Sequence, residues 1–459
     1  MPEARKVIFG ELLPADRVVG SYFSEHCILS VVRFVRDGAI SMRAASRIKS
    51  ISDELMGQAG DEAPTHTTIQ NFLLRIGLYV LQCLAQRQRD WIWMADHTHS
   101  VGTTKCFVVV GIRLSFFLQL RRPLQHEDLV VLELIPVDGS NGEIVCGQLT
   151  TLCVNYGVPL AILSDRGSDL NKGVRLLQKS YPDVIALYDI AHMVARLTES
   201  TLTNEAQWSE YNIASCVCAH AVRQGKLSHL KPPRTKTKAR YMNIRQEIRW
   251  GARALQILDR VRSDKLNDRQ RERLPKADVE AKLGWLETYR ESLNVWEKVT
   301  LMGQESIKVI RKEGYGMAAL TQLRDKLGEP EDAVCREFSK KLMDECTQQC
   351  KMASQYESLP GTSEILESLF GKAKRLLGGN NTGSTNSLTS QLLAMVTCTV
   401  QITAELIREG LAICRIKNLI KWREERFPPG THWARRNDLC PTHEEQKLRK
   451  QQNTTIPNF

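Results

Sequence analysis

The chain has 459 residues, 42% of them hydrophobic and 25% charged, with a formal net charge of +11 and a pI of about 9.0. That length predicts roughly two to four domains, and the composition is that of an ordinary soluble globular protein. No apolar run reaches membrane-spanning length, and Met1-Pro2-Glu3-Ala4-Arg5-Lys6 lacks the basic-then-apolar layout of a secretion leader; the expectation is an intracellular protein away from membranes.

Residues 20–88 predict three helices. The first covers 24–36 and stops at Gly38, and Ser41 is placed to cap a second over 42–56. After a polar loop, a third begins near 65–67. Its apolar residues Ile69, Phe72, Leu73, Ile76, Val80 and Cys83 recur at the spacing of one buried face. Thr67, Thr68, Gln70, Asn71 and Arg75 fall in its first turns, types that read base edges or hold phosphates. The expectation is a helix-turn-helix-like DNA-binding domain over 1–88, with its recognition helix at 66–76.

Residues 89–195 change character. Trp91-Ile92-Trp93-Met94-Ala95 ends in Asp96, and the runs at 105–114 and 128–137 are rich in β-branched residues. A helix is predicted at 142–156. The apolar run 159–164 ends in Asp165, a helix follows at 168–180, and a short strand closes the segment at 184–188. Three strands followed by strand–helix units make this an α/β domain with a mixed sheet.

Residues 196–358 contain no convincing strand and predict an all-α domain. The basicity is concentrated here: residues 223–276 hold 17 Lys/Arg against 5 Asp/Glu, a net +12 that leaves the rest of the chain near neutrality. A local excess of this kind marks a polyanion surface. Arg234, Lys236 and Lys238 fall in a proline-containing basic loop, with Arg240, Arg245 and Arg249 on the following helical stretch. Residues 359–425 return to the sheet domain: a helix at 362–376, a Gly/Asn-rich turn region at 378–384, and one long helix over 387–423. The polar tail 426–459 is expected to be disordered.

The 13 cysteines are odd in number and scattered. Most, including Cys106, Cys153, Cys398 and Cys414, lie in apolar patterns and read as reduced core thiols. Neither Cys216-Val217-Cys218-Ala219-His220 nor Cys346 with Cys350 has a second ligand pair at zinc spacing.

Asp96, Asp165 and Glu367 carry the chemistry. A carboxylate where a buried strand meets solvent is costly unless paired or holding a cation. Three that converge make a hard oxygen site for Mg²⁺ or Mn²⁺. Glu364, one turn before Glu367, is the rival for third acid.

These features resemble the DDE transposases of the ribonuclease H-like superfamily. Leu163-Ser164-Asp165-Arg166-Gly167 resembles the second-acid motif. Asp189-Ile190-Ala191-His192 resembles the Asp-x-x-His signature of hAT and Mutator-like groups. Glu367 and Lys374, seven residues apart, match a spacing typical of bacterial insertion-sequence transposases. The gap of 202 from Asp165 to Glu367 resembles the helical insertion of hAT-like enzymes.

The resemblance implies a ribonuclease H-like sheet flanked by helices and interrupted by an all-α insertion. It implies two Mg²⁺ or Mn²⁺ ions held by Asp96, Asp165 and Glu367, with Asp189, His192 and Lys374 in support. The implied activity is cleavage at transposon ends and strand transfer into double-stranded DNA, by a homodimer or larger assembly. Lys372 and Arg375 would also touch DNA. The cell compartment would be the cytoplasm and nucleoid of a bacterium, or a eukaryotic nucleus. A resolvase-like nuclease and a non-enzymatic transposase-derived DNA-binding protein are the alternatives.

Overall fold

The computed structural model describes residues 17–19, 21–57, 63–99, 105–120, 122–137, 139–233, 240–376 and 385–426. The chain divides into two compact units. One is built from residues up to Ala186 and from Ser363 onward, the other from Leu187–Thr362.

The first unit opens with α1 (Glu25–Arg36), α2 (Met42–Leu55) and α3 (His66–Tyr79), capped by Ser24, Ser41 and Thr65. A five-stranded sheet follows, β1 (Trp91–His99), β2 (Lys105–Arg113), β3 (Val130–Val137), β4 (Ala161–Ser164) and β5 (Ile185–Tyr188), in the order β3-β2-β1-β4-β5. β2 runs antiparallel to both β1 and β3, and β4 runs parallel to β1. The crossover from β3 to β4 is α4 (Gly142–Tyr156), and α5 (Ser168–Ser180) joins β4 to β5. β2 is buried on each face along its interior, as a covered strand requires, whereas the edge strand β3 alternates between buried and half-buried residues.

One face of the sheet sets the orientation of everything else. Trp91, Trp93 and Ala95 of β1 and Ile162 of β4 share a core with Val145, Leu149 and Leu152 of α4 and Leu170, Val174 and Leu177 of α5. Side chains alternate along a strand. Ile92, Met94 and Asp96 therefore take the opposite face, as do Ala161, Leu163 and Asp165.

One expectation, for residues 387–423, needs correction. The segment read as a recognition helix is α3. It packs on α14 (Thr385–Thr397) and α15 (Ala404–Ile413), inside the first unit. At Gly77 the approach is so close that a Cβ would lie 2.1 Å from the Leu393 carbonyl oxygen. Apolar residues surround α3 (Ile69, Phe72, Leu73, Leu74, Ile76 and Leu78 are all buried), the mark of an interior helix.

The single helix expected over 387–423 is three: α14, α15 and α16 (Ile416–Arg426). The break follows Thr397, where hydroxyls compete for backbone carbonyls. Thr397 Oγ1 donates to Ala394 O and Thr399 Oγ1 to Val396 O, and Thr403 then caps α15 by accepting from Leu406 N. The chain joining α13 (Glu364–Leu376) to α14, and residues 427–459, lie outside the described residues.

The second unit is helical: α6 (Ile190–Thr203), α7 (Ala206–Ala221), α8 (Arg240–Arg262), α9 (Lys276–Leu283), α10 (Arg290–Glu313), α11 (Met317–Leu327) and α12 (Ala333–Met352). Its core joins Tyr211, Leu258, Leu293 and Trp296, with Trp208, Trp250 and Trp285 packed against it. Trp208 meets Trp296 edge to face, and Tyr211 touches Trp285, Tyr289 and Trp296. These rings are structural. Trp296 is 1% exposed, and Trp285 donates its indole N–H to Lys282 O at 3.0 Å.

Candidate active site

β1 and β4 pair in parallel as Ile92 with Ala161, Trp93 with Ile162 and Met94 with Leu163. Each pair is separated by 69 positions along the chain, and so are Asp96 and Asp165. The register therefore brings the two acids to one level: Asp165 directly follows the last residue of β4, while Asp96 lies inside β1, two residues past its last pair with β4 and still paired with Val108 of β2. Alternation gives them the same face, away from α4 and α5. Both are half-buried. Neighbouring strands lie about 4.8 Å apart, so the two acids stand side by side where β4 ends against β1.

Local backbone bonds fix each acid. Asp96 Oδ1 accepts from the following residue, His97 N, at 2.6 Å. Asp165 Oδ1 accepts from Gly167 N at 2.8 Å, closing a turn that opens α5. Arg166, between them, has φ of 56°. A non-glycine residue in the left-handed region costs free energy that the surrounding structure must offset, and the gain here is a carboxylate aimed off the strand end. A Cβ on Gly167 would stand 3.2 Å from Asp165 Oδ1 and 3.4 Å from Asp169 Oδ1. The position suits glycine because two acids crowd it.

A second pair lies on the other side of the strand ends. His97 Nδ1 is 3.8 Å from Asp169 Oδ2, with the His97 ring 5.2 Å from that of Phe107. Burial lowers the His97 pKa against the pull of Asp169. The Ser140 hydroxyl and His97 hold the Asp169 carboxyl below its ordinary range, against the opposing effect of burial. His97 and Ser140 escaped the sequence reading. The only signal was that His97 directly follows a strand-end acid.

α13, which carries Glu364 and Glu367, contacts β1. Glu364 is its first residue and is half-buried, whereas Glu367 is exposed. Among the described residues no three His, Cys, Asp or Glu side chains are placed to hold a metal ion. The register thus sets Asp96 and Asp165 side by side. Lys374 and Arg375 are exposed on α13 and Lys372 is half-buried. Lys372 lies close enough to His126 to lower its pKa, after burial, while His126 Nε2 stands 3.1 Å from Ser368 Oγ. α13 is thereby tied to the loop before β3.

Asp189 and His192 belong to the second unit. Asp189, fully buried, caps α6 by accepting from His192 N at 2.8 Å. The Asp-x-x-His spacing is therefore that of a helix N-cap with its third residue.

The expected DNA-contacting residues divide. Thr67 is exposed, and Thr68 and Asn71 are half-buried. Gln70 donates to Ser390 Oγ at 3.1 Å. Arg75 is 5% exposed and donates to Cys414 O at 2.7 Å and to Leu411 O. It closes the end of α15 and has no access to phosphate. Arg234, Lys236 and Lys238 fall outside the described residues, as does the side chain of Arg240. Arg245 and Arg249 are exposed on α8. Cys346 and Cys350 are buried in α12, where burial pushes the Cys350 thiol up to about 11.

No family model and no curated protein matches the sequence. Among solved structures, the chain is similar to the Drosophila P element transposase strand transfer complex, with a TM-score of 0.41 and 10% identity. The match covers 86% of this chain and 97% of that one.

Proposed function

We propose that the protein is a DDE-type DNA transposase that cleaves and joins DNA phosphodiesters at the sheet edge bearing Asp96 and Asp165. The observation that carries this reading is their shared level on adjacent parallel strands. It is supported by a mixed sheet in which three strands precede strand–helix units, and by a helical segment between the second and third acids.

The donor set suits a hard divalent cation, because Asp96 and Asp165 offer carboxylate oxygens side by side. Mg²⁺ keeps several waters and takes one or two protein carboxylates together with substrate phosphates. Asp96 and Asp165 would hold one such ion, or Mn²⁺. A second would require Glu367, or Glu364, from α13. Bound there, the metal supplies Lewis-acid charge at the scissile phosphate and lowers the pKa of an attacking water or 3′-hydroxyl. The chain's own part is positional. Gly167 N–H and the Arg166 turn fix Asp165, and the neighbouring β2 and β4 hold Asp96. Lys374, two turns beyond Glu367 on the same helix face, with Lys372 and Arg375, would meet the DNA backbone. Joining two ends requires at least a dimer.

The test is a cleavage and strand-transfer assay on duplexes carrying the DNA ends that flank the coding gene. Wild type should cut and join them only with Mg²⁺ or Mn²⁺. Asp96→Asn, Asp165→Asn and Glu367→Gln should retain DNA binding and lose both products. Full activity in the Asp96 or Asp165 variant would remove this reading, and cutting without joining would make the protein a nuclease of another kind.

A further inference from the structure

The basic residues of the second unit are not equivalent. Arg262 is bound by Glu280 and Glu287, Arg290 by Asp259 and Glu287, and Arg271 by Asp264 and Asp268. Arg260 donates to Gln270 Oε1 at 3.3 Å. Arg245, Arg249 and Arg253 differ from these: all three are exposed and none forms a hydrogen bond or ion pair among the described residues, and unlike Arg269 and Arg273, exposed on a short helical segment, they line one long helix. They recur every fourth residue on α8. Ile244, Ile248, Leu255 and Leu258 are buried on the reverse of that helix, where Gly251 lies against Tyr211 and Leu293. Glu247, the acid nearest this row, is 5% exposed and turned inward. Burial, and then the neighbouring charge of Arg249, lowers the pKa of Arg245.

We infer that Arg245, Arg249 and Arg253 form a stripe that grips the phosphate backbone of duplex DNA. The inference rests on the functional reading above for its partner, and it places the nonspecific grip on α8 rather than on the whole basic segment. Residues four apart on a helix rise about 6 Å, so the three span about 12 Å. One strand of B-DNA presents a phosphate about every 3.4 Å along the axis, so the stripe covers three or four of them. Arginine offers a planar fork that matches phosphate oxygens. The paired arginines would first have to give up carboxylate partners, which makes them poor phosphate ligands.

The experiment measures duplex binding by full-length protein, by fluorescence anisotropy, between 50 and 200 mM salt. Each phosphate contact contributes about 0.9 to the slope of log K against log salt. The triple variant Arg245→Ala/Arg249→Ala/Arg253→Ala should lose roughly 2.7 from that slope, so that wild type is about 40-fold the more salt-sensitive over this range. Triple Arg→Lys should keep most of the slope, which separates charge from folding. Arg262→Ala should leave it unchanged. An unchanged slope in the triple alanine variant overturns the stripe while leaving DNA as partner. Absence of salt-sensitive duplex binding in wild type removes the functional reading, and the stripe with it.

Discussion

At the sheet edge of the first unit, two carboxylates are held at one level by strand register and backbone N–H groups, half-buried and facing the same way. On α8 of the second unit, three arginines stand in solvent with their charges uncommitted. The two regions use charge in opposite ways. Acids collected at a rigid strand end can define a point in space, which is what chemistry on a single bond requires. Arginines on long flexible stems along a helix define a line, which is enough for a polyanion of any sequence. The comparison teaches that reaction and grip are built separately in this chain, so that each can be removed alone.

The largest expected effect falls on the point. Asp96→Asn or Asp165→Asn should lower end cleavage by roughly three orders of magnitude, or about 4 kcal/mol of transition-state stabilisation. The salt slope of DNA binding should not change. A loss of binding that parallels the loss of cleavage would break the separation.

Next is a control on arginines as a class. Arg75 and Arg245 both fell within segments expected to face DNA. Arg75→Ala should destabilise the fold by about 2–3 kcal/mol in urea melts, because it strands the carbonyls of Leu411 and Cys414. It should leave the salt slope intact. Arg245→Ala should do the reverse. Equal effects on stability would show that exposure on α8 does not distinguish them.

A third effect concerns the inner face of α8. Burial pushes the Glu247 carboxyl up to about 7 from an ordinary 4.5. The folded state therefore keeps a proton that the unfolded chain releases. Stability from that proton is complete below pH 4.5, falls as pH rises through that window, and levels off above 7. The loss should approach roughly 2–3 kcal/mol. Glu247→Gln should flatten this dependence in melts taken from pH 5 to 8 and raise the melting temperature at pH 8. A wild-type curve that is flat across the window would contradict the buried carboxyl.

The smallest effect sharpens the point itself. Glu364 is half-buried and Glu367 exposed at the start of α13. If Glu367 is the third acid, Glu367→Gln should suppress cleavage and Glu364→Gln should lower it less than about threefold. The reverse order would hand the role to Glu364.

Much of this architecture was legible in the residues. The runs leading to Asp96 and Asp165 are apolar up to the acid, so both strands could be read, and with them the end of β4; β1 instead runs on past Asp96 to His99, paired with β2. The helical character of the second unit and its concentrated charge were equally plain. Three things were not. Register is a long-range property: nothing in residues 91–96 states that they pair with residues 160–165, and the alignment of the two acids emerges only with the sheet. Burial of α3 was obscured because Thr67, Gln70 and Arg75 look like surface residues. Their partners Ser390, Leu411 and Cys414 come from hundreds of residues away. The break between α14 and α15 turns on side-chain-to-backbone bonds of Thr397, Thr399 and Thr403, which a run of apolar periodicity hides. Asp189 with His192 matched a family spacing, and the local physics of that spacing is a helix cap.

The most direct measurement of the central claim is a Mn²⁺ titration of the full-length protein, followed by electron paramagnetic resonance. Wild type should bind Mn²⁺ in competition with Mg²⁺, and Asp96→Asn and Asp165→Asn should each abolish that binding while Asp189→Asn leaves it in place. Undiminished Mn²⁺ binding in either strand-end variant would contradict a shared site at Asp96 and Asp165.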